Sequence, residues 1–151
     1  CETRGIIKDG AKMVQAVATA EVPKFAILIG ASHGAGNYAM CGRGYGPRFL
    51  FTWPNTRTSV MGAQQAAQVL VTVKHQPRAS ENGCLSDDEL RRILETTRQQ
   101  YEQEGSPYFS SARLWDDGIL DPVETRKVLG LCLDLAASVP ARETHVPVFR
   151  M

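Results

Sequence analysis

The chain has 151 residues, of which 43% are hydrophobic and 22% are charged, and its formal net charge is +1. These values predict one domain, or part of one, that can bury a core, and they exclude a disordered or fibrous protein. The small net charge argues against a nucleic-acid partner, and no apolar run reaches the roughly 18 residues of a membrane-spanning helix. The first residue is Cys1 rather than Met, which suggests a processed product or a fragment with any targeting segment upstream.

The first third of the chain predicts a helix, a strand and a second helix. Residues 9–20 are rich in Ala, Met and Val and form a helix that ends before Pro23, because the residue before proline leaves the helical region. Residues 25–29 form a continuous apolar run, which predicts an interior strand that is covered on both faces. A glycine-rich turn follows, and residues 37–41 predict a short helix.

The middle of the chain continues this alternation. Residues 49–51 and 58–61 predict strands on either side of a turn at Pro54 and Asn55, and residues 64–73 predict a helix. Residues 74–85 are polar and contain Pro, Ser, Asn and Gly, so they predict a loop.

Two further helices are predicted from their first residues. Ser86 and Glu89 have the spacing of a capping box, and apolar residues then recur at helical spacing through residues 87–104, which indicates a surface helix. Asp121 followed by Pro122 predicts the start of a helix that runs to about residue 137. Alternating helices and strands favour an α/β architecture.

The four cysteines have no paired spacing, so the sequence predicts neither a metal site nor a disulfide framework. A small buried apolar group is the simplest interpretation of each. They are Cys1, Cys41, Cys84 and Cys132.

Three chemistries compete for the glycine turn in "FAILIGASHGAGNYAM". The first is a hydrolase, because residues 30–34 match G-x-S-x-G after a predicted strand and make Ser32 a candidate nucleophile. The second is a dinucleotide site, because residues 34–39 match G-x-G-x-x-A, although no carboxylate follows at the expected distance. In the hydrolase interpretation, the acid that follows Ser32 would be Asp116, Asp117 or Asp121, and the histidine would be His145.

The third chemistry uses the backbone. Glycine and alanine at the start of a helix let a ligand oxygen approach bare amide groups, and the helix dipole favours negative charge there. Such a turn can serve as an oxyanion hole. The alternative is that the small residues only permit close packing of the helix on the strand.

Several longer stretches carry a family resemblance: "GAGNYAMCGRGYGPRFLFTWPN", "SVMGAQQAAQVL", "GSPYFSSARLWDDGILDPVETRKVLGL" and the terminal "VFRM". They resemble the carboxyltransferase β subunits of biotin-dependent acyl-CoA carboxylases, and among these the 3-methylcrotonyl-CoA and geranyl-CoA carboxylase β chains. The resemblance covers nearly the whole chain except the loop region. It implies that residues 1–151 are most of the C-terminal carboxyltransferase half of a crotonase-type (ClpP/crotonase) spiral fold, with the N-terminal CoA-binding half absent.

The resemblance also implies an activity, in which the carboxyl group of carboxybiotin is transferred to 3-methylcrotonyl-CoA in leucine degradation. Biotin would be carried by a partner α subunit that alone uses ATP, β subunits would form a hexamer, and no protein side chain would have to act as the base. The enzyme would be in the mitochondrial matrix of a eukaryote or the cytoplasm of a bacterium. The isolated chain would be inactive, and a truncated subunit that serves only in assembly is the rival interpretation.

The family's biotin oxyanion turn falls on residues 34–36. We therefore expect the amides of Ala35 and Gly36 to be the catalytic groups, with Gly34 in the same biotin-binding turn. Residues at the start of the following predicted helix would lie near the same ligand. They are Met61, Gly62 and Ala63.

The chain departs from the family pattern close to this turn. Relatives usually have Gly in place of Ala31 and Ala39, an aromatic residue in place of His33, and "GGEQ" where this chain has Ala63 and Gln64. The methyl group of an alanine in place of glycine narrows a tight turn. Gln64 lacks the negative charge of the glutamate that relatives have in the "GGEQ" stretch. Three arginines are candidate partners of CoA phosphate groups, and structural ion pairs are the alternative interpretation. They are Arg43, Arg48 and Arg57.

Overall fold

The computed structural model describes residue 3, residues 5–75, residues 86–140 and residue 143. Helix α1 spans Ile6–Thr19 and begins earlier than the sequence predicts, because Gly5 adopts a left-handed conformation (φ 89°) and serves as the N-cap. It ends at Ala20, ahead of Pro23, as predicted.

Four short strands form two parallel pairs. Strand β1 (Phe25–Leu28) pairs with β3 (Phe49–Thr52), and β2 (Ala31–His33) pairs with β4 (Arg57–Ser59). Strand β1 was predicted to be interior, but its four side chains are only half-buried and, within the described ranges, β3 is its one named neighbour. Strand β2 lies where the sequence predicted only a turn.

Along the chain, one helix follows the strands β1 and β2, and another follows β3 and β4. Helix α2 (Ala35–Ala39) follows β2 and begins two residues before its predicted start, and α3 (Ala63–His75) follows β4. The chain thus repeats a unit of two strands and a helix. Because α3 continues through His75, the first two residues of the predicted loop are helical, and the rest of that loop lies outside the described residues.

Three helices make up the remainder of the part that the structure describes. Helix α4 (Asp87–Glu104) has the predicted bounds and capping box, and it packs against α3. Helix α5 (Pro107–Ser111), which was not predicted, follows directly. Asp121 caps a short 3-10 turn (Pro122–Glu124) that leads into α6 (Thr125–Ala137), as the Asp-Pro sequence indicates.

Buried apolar side chains occur in β3, at Leu50 and Phe51, and in α3, at Ala66 and Ala67. Strand β3 packs beside β1, and α3 packs against α4. The turn after β3 is held by Thr56, whose hydroxyl donates to the carbonyl oxygen of Leu28 at 2.6 Å. This link fixes the end of β1 against the start of β4, so that the second strand pair is placed immediately beyond the first.

Candidate functional site

Two helix starts lie next to each other at the ends of the parallel strands β2 and β4. The last residues of these strands, His33 and Ser59, are partners in the strand register. Beyond them the amide of Gly34 donates to the carbonyl oxygen of Ser59 at 3.0 Å. The chain therefore enters α2 and α3 from adjacent points on one sheet edge.

Gly34 has the backbone conformation that this turn requires. Its φ of 66° and ψ of −153° lie in a region that is open almost only to glycine. A Cβ atom at this position would also lie 3.2 Å from the carbonyl oxygen of Val60. Gly36 lies in α2 with a negative φ, so Gly34 is the residue that makes the turn.

The amides of Ala35 and Gly36 follow at the start of α2. The first amides of a helix have no intrahelical acceptor, and no hydrogen-bond acceptor for either is found among the described residues. Both residues are exposed, and a Cβ atom built on Gly36 would meet no heavy atom within 4 Å. The structure thus leaves two neighbouring amide groups accessible from open space, which is the arrangement that an oxyanion needs.

The second predicted segment lies beside the first. Because Gly34 contacts Ser59 and Val60, the residues Met61, Gly62 and Ala63 continue directly from the point of contact. Gly62 accepts a hydrogen bond from Ala66 at 3.0 Å and so opens the first turn of α3. All six residues predicted for the site are brought to the same edge of the β2–β4 pair.

Ser59 was not predicted as a site residue, yet it is the point at which these two segments meet. Its hydroxyl donates to the carbonyl oxygen of Met61 and lies 2.9 Å from Nδ1 of His33, while its own carbonyl accepts from Gly34. In the sequence, Ser59 is one residue of the predicted strand 58–61, and no signal marks it as part of a site. His33 is exposed, and it and Ala31 lie in β2 rather than in the turn.

The hydrolase interpretation of Ser32 does not fit the local backbone. A nucleophile elbow places its serine on a sharp, strained turn, whereas Ser32 is the middle residue of β2. In the part of the chain that the structure describes, the non-glycine residues with positive φ are Cys41 and Leu114. His145, the proposed base of that triad, lies outside the described residues.

The acidic residues that were candidates for the same triad have structural roles. Asp116 is buried and accepts hydrogen bonds from the hydroxyls of Thr52 (3.4 Å) and Ser110 (3.0 Å) and from the amide of Gly118 (3.1 Å). Asp121 caps the 3-10 turn by accepting from the amide of Val123. Both carboxylates therefore hold backbone in place.

Asp117 forms an ion pair with one of the three arginines considered for CoA phosphates. Both Nη atoms of Arg43 lie 3.2 Å from Asp117 oxygens, and Arg43 Nε donates to the carbonyl oxygen of Trp115. Asp117 also accepts from the amide of Leu50 at 2.7 Å. The structural interpretation of Arg43 is confirmed, and the pair ties the segment after α2 to β3.

A cavity of about 420 Å³ is lined by residues of α2, of the strands β1 and β3, and of the segment that follows α5. Its walls combine aromatic and aliphatic side chains with the buried carboxylate of Asp116. They include Asn37, Tyr38, Leu28, Leu50, Trp115 and Asp116.

Other site classes have little support. Burial raises the pKa of the Cys132 thiol, which is 4% exposed. Cys132 and Cys41 are both buried, as predicted. Cys1 and Cys84 lie outside the described residues. Within the described ranges no group of three or more His, Cys, Asp or Glu side chains could hold a metal ion. None of the helices described here combines the length and hydropathy needed to cross a bilayer.

Comparison with known proteins places this geometry in a family. The sequence model of the carboxyl transferase domain matches residues 1–150. The chain belongs to the carboxyl transferase family. This membership, with the parallel strand pairs and mixed α/β structure, confirms the crotonase-type fold class and the predicted family resemblance.

Two curated relatives and one solved structure illustrate the similarity of this carboxyl transferase domain. The chain is 55% identical to the biotin-dependent 3-methylcrotonyl-coenzyme A carboxylase beta1 subunit of Mycobacterium tuberculosis, over 99% of the chain and 28% of that protein. It is 53% identical to the probable mitochondrial methylcrotonoyl-CoA carboxylase beta chain of Drosophila melanogaster, over 99% of the chain and 26% of that protein.

The solved structure is the geranyl-CoA carboxylase beta subunit of P. aeruginosa. The identity is 43% and the TM-score is 0.82, over 99% of the chain and 28% of that subunit. The carboxyl transferase domain described here therefore spans about a quarter of the length of the relatives it matches.

Proposed function

We propose that this chain forms the biotin-facing wall of a carboxyltransferase site, in a subunit that carboxylates 3-methylcrotonyl-CoA. The observation that carries the proposal is the pair of amides at Ala35 and Gly36, which have no acceptor among the described residues and follow the Gly34–Ser59 contact that leads toward α3. Family membership and the names of the relatives support it.

The residues present fit a planar, oxygen-bearing ring. The space in front of Gly36 is open, and the atom nearest to a Cβ built on Gly62 is Gln65 Oε1 at 3.8 Å. Biotin, carried on a partner α subunit that uses the ATP, supplies the carboxyl group when it is bound. The amides of Ala35 and Gly36 would hold the ring oxygen by donating hydrogen bonds to it and would stabilise negative charge there, and removing one such donor typically costs about 3 kcal/mol of barrier. Gly34, Met61, Gly62 and Ala63 shape the surrounding wall.

The rest of the site lies outside this chain. We propose that this chain is most of the C-terminal half of its subunit and that the CoA-binding half is a separate part of the full protein. We also propose that the β subunits assemble as a hexamer. The eukaryotic relative is named mitochondrial, and we propose the mitochondrial matrix for a eukaryotic source and the cytoplasm for a bacterial one. The isolated chain holds one wall of a two-walled site and should therefore be inactive.

The test is carboxylation by the complete subunit assembled with its biotin-carrying partner. Ser32→Ala should keep activity within a few-fold, because its hydroxyl has no role in the reaction. Gly36→Val should abolish it, because the side chain fills the space that the ring needs. Gly130→Val is the matched control, since Gly130 is also an exposed helical glycine with no heavy atom within 4 Å of a Cβ.

Each result has a defined meaning. Loss of activity in Ser32→Ala with retention in Gly36→Val would contradict the site assignment. Turnover of geranyl-CoA in preference to 3-methylcrotonyl-CoA would support the alternative substrate, which the similarity to a geranyl-CoA carboxylase subunit favours. A well-assembled subunit that carboxylates neither compound would support the rival role in assembly only.

A further inference from the structure

Ser59 occupies the junction between the two helix starts, at the end of β4. Two of its groups make three contacts: the carbonyl oxygen accepts from the amide of Gly34, and the hydroxyl donates to the carbonyl oxygen of Met61 and lies 2.9 Å from His33 Nδ1. One small side chain therefore connects the ends of both strands with the segment that opens α3.

The direction of the His33 contact follows from the proton count. A serine hydroxyl carries one proton, and the proton of Ser59 is directed to Met61. The ring nitrogen of His33 must then be the donor, so Nδ1 carries the proton in the neutral imidazole. The hydrogen bonds run in one direction, from His33 through Ser59 to Met61.

We propose that Ser59, oriented by His33, is a positioning residue that sets the distance between the α2 amides and the start of α3. The inference rests on the proposed function, because it assigns a role in the site formed by these two segments. Ser59 itself does not need to touch the ligand. Without its hydroxyl the Met61 carbonyl loses this donor, and the loop into α3 is no longer tied to Ser59, although the β2–β4 pairing and the Gly34 amide still hold Ser59 itself.

The expected effect is selective. In the complete subunit with its biotin-carrying partner, Ser59→Ala should lower kcat by about three- to tenfold, the cost of one lost hydrogen bond at the site. The KM for acyl-CoA should change less than about twofold, since the CoA-binding half is elsewhere. In the reverse half-reaction, in which a carboxyl group moves from the carboxylated acyl-CoA to free biotin, the KM for biotin should rise.

Conservative variants separate positioning from general stability. Ser59→Thr retains the hydroxyl and should retain most of kcat. His33→Asn keeps an N–H donor near the position of Nδ1 and should do the same, whereas His33→Ala should not. Ser138→Ala is the control, because it also removes a hydroxyl that donates to a backbone carbonyl, that of Leu135 at the end of α6.

A double-substitution cycle provides the decisive measurement. If His33 acts through Ser59, His33→Ala should have little further effect on kcat in the Ser59→Ala background. Fully additive effects of the two substitutions would overturn the inference, and so would an equal fall of kcat in Ser59→Ala and Ser59→Thr. Neither result would contradict the proposed function as long as the wild-type enzyme turns over. A lower melting temperature with unchanged kcat and biotin KM per folded subunit would also overturn it. Absence of biotin-dependent transfer in the wild-type enzyme would reject the proposed function and the inference together.

Discussion

Gly34 shows how much of the site depends on a single backbone conformation. Its positive φ turns the chain from β2 into α2, and its amide is used to bind the carbonyl of Ser59. The two residues that follow are then free to present their amides outward. The site therefore depends on the absence of a side chain at residue 34 and on open space at residue 36.

Gly34→Ala should destabilise the chain by about 1–3 kcal/mol, because an L-residue is strained in this conformation. The added methyl group would also meet the Val60 carbonyl at 3.2 Å. Gly36→Ala is the control and should be nearly neutral, because its Cβ meets open space within a helix. Urea unfolding followed by circular dichroism measures both, and equal midpoints for the two variants would contradict the prediction.

The carboxylate of Asp117 should matter more to stability than the guanidinium with which it pairs. Arg43→Ala should cost less than about 1 kcal/mol, because both partners of the ion pair are partly exposed. Asp117→Ala should cost about 1–3 kcal/mol, because it also leaves the amide of buried Leu50 without its acceptor. Thermal melts of the two single variants give the comparison, and a larger loss in Arg43→Ala would show that the ion pair is the dominant contact.

At the scale of elements, α4 shows what local sequence can determine. Its capping box is complete, with Ser86 Oγ accepting from the amide of Glu89, and the Glu89 carboxylate accepting from the amide of Ser86. Both partners lie three residues apart, so the start of α4 could be predicted to the residue. The stripe of this helix is also confirmed, because Leu90, Ile93, Leu94 and Tyr101 are half-buried and Thr97 is buried.

The Glu89 carboxylate should make α4 sensitive to acid. Hydrogen bonds from the backbone and then the side chain of Ser86 hold the pKa of Glu89 below its usual range. Since the folded pKa lies below the unfolded one, the stabilisation is present above the ordinary carboxyl range and is lost as the pH falls through the folded value. Glu89→Gln keeps an acceptor but does not titrate, so the difference in unfolding midpoint between wild type and variant should shrink on acidification. If the difference in unfolding midpoint between wild type and Glu89→Gln stayed constant as the pH fell through the carboxyl range, the proposed contribution of the Glu89 charge would be contradicted.

Elements formed by distant residues were predicted less well. Strand β2 was missed because Ala31, Ser32 and His33 have no strand-like pattern and become a strand only by pairing with residues 57–59. For the same reason Ser59 could not be recognised, since its partners lie on another strand. Residues 34–36 and 61–63 were assigned to a biotin site through the family resemblance, and this assignment stays a prediction, whereas spacing alone also allowed a hydrolase or a dinucleotide site.

At the scale of the whole molecule, much apolar surface is uncovered. Leu114 and Val123 are 84% and 86% exposed, and α6 exposes Leu131, Leu133 and Leu135. A helix that is apolar on several sides is normally buried by other protein. The exposed face of α6 agrees with a chain that spans about a quarter of its relatives.

The isolated chain should therefore self-associate and bind a hydrophobic dye. Leu131→Lys with Leu135→Lys should reduce both properties, because the change removes apolar surface and adds charge to α6. Gln99→Lys with Gln103→Lys adds the same charge to the polar face of α4 and serves as the control. Sedimentation velocity over a range of concentrations provides the measurement, and a monomeric wild-type chain at high concentration without dye binding would contradict the expectation.

The parallel pairing of the strands has a consequence for the order of folding. Neither pair can form by a tight hairpin, because β1 must wait for β3 and β2 for β4, with α2 between them in the chain. Closing these loops costs conformational entropy before the strand contacts compensate, whereas α4 can form from neighbouring residues alone. The amides of Ala35 and Gly36 therefore come to lie beside residues 61–63 only after β2 and β4 have paired, late in the folding of the chain.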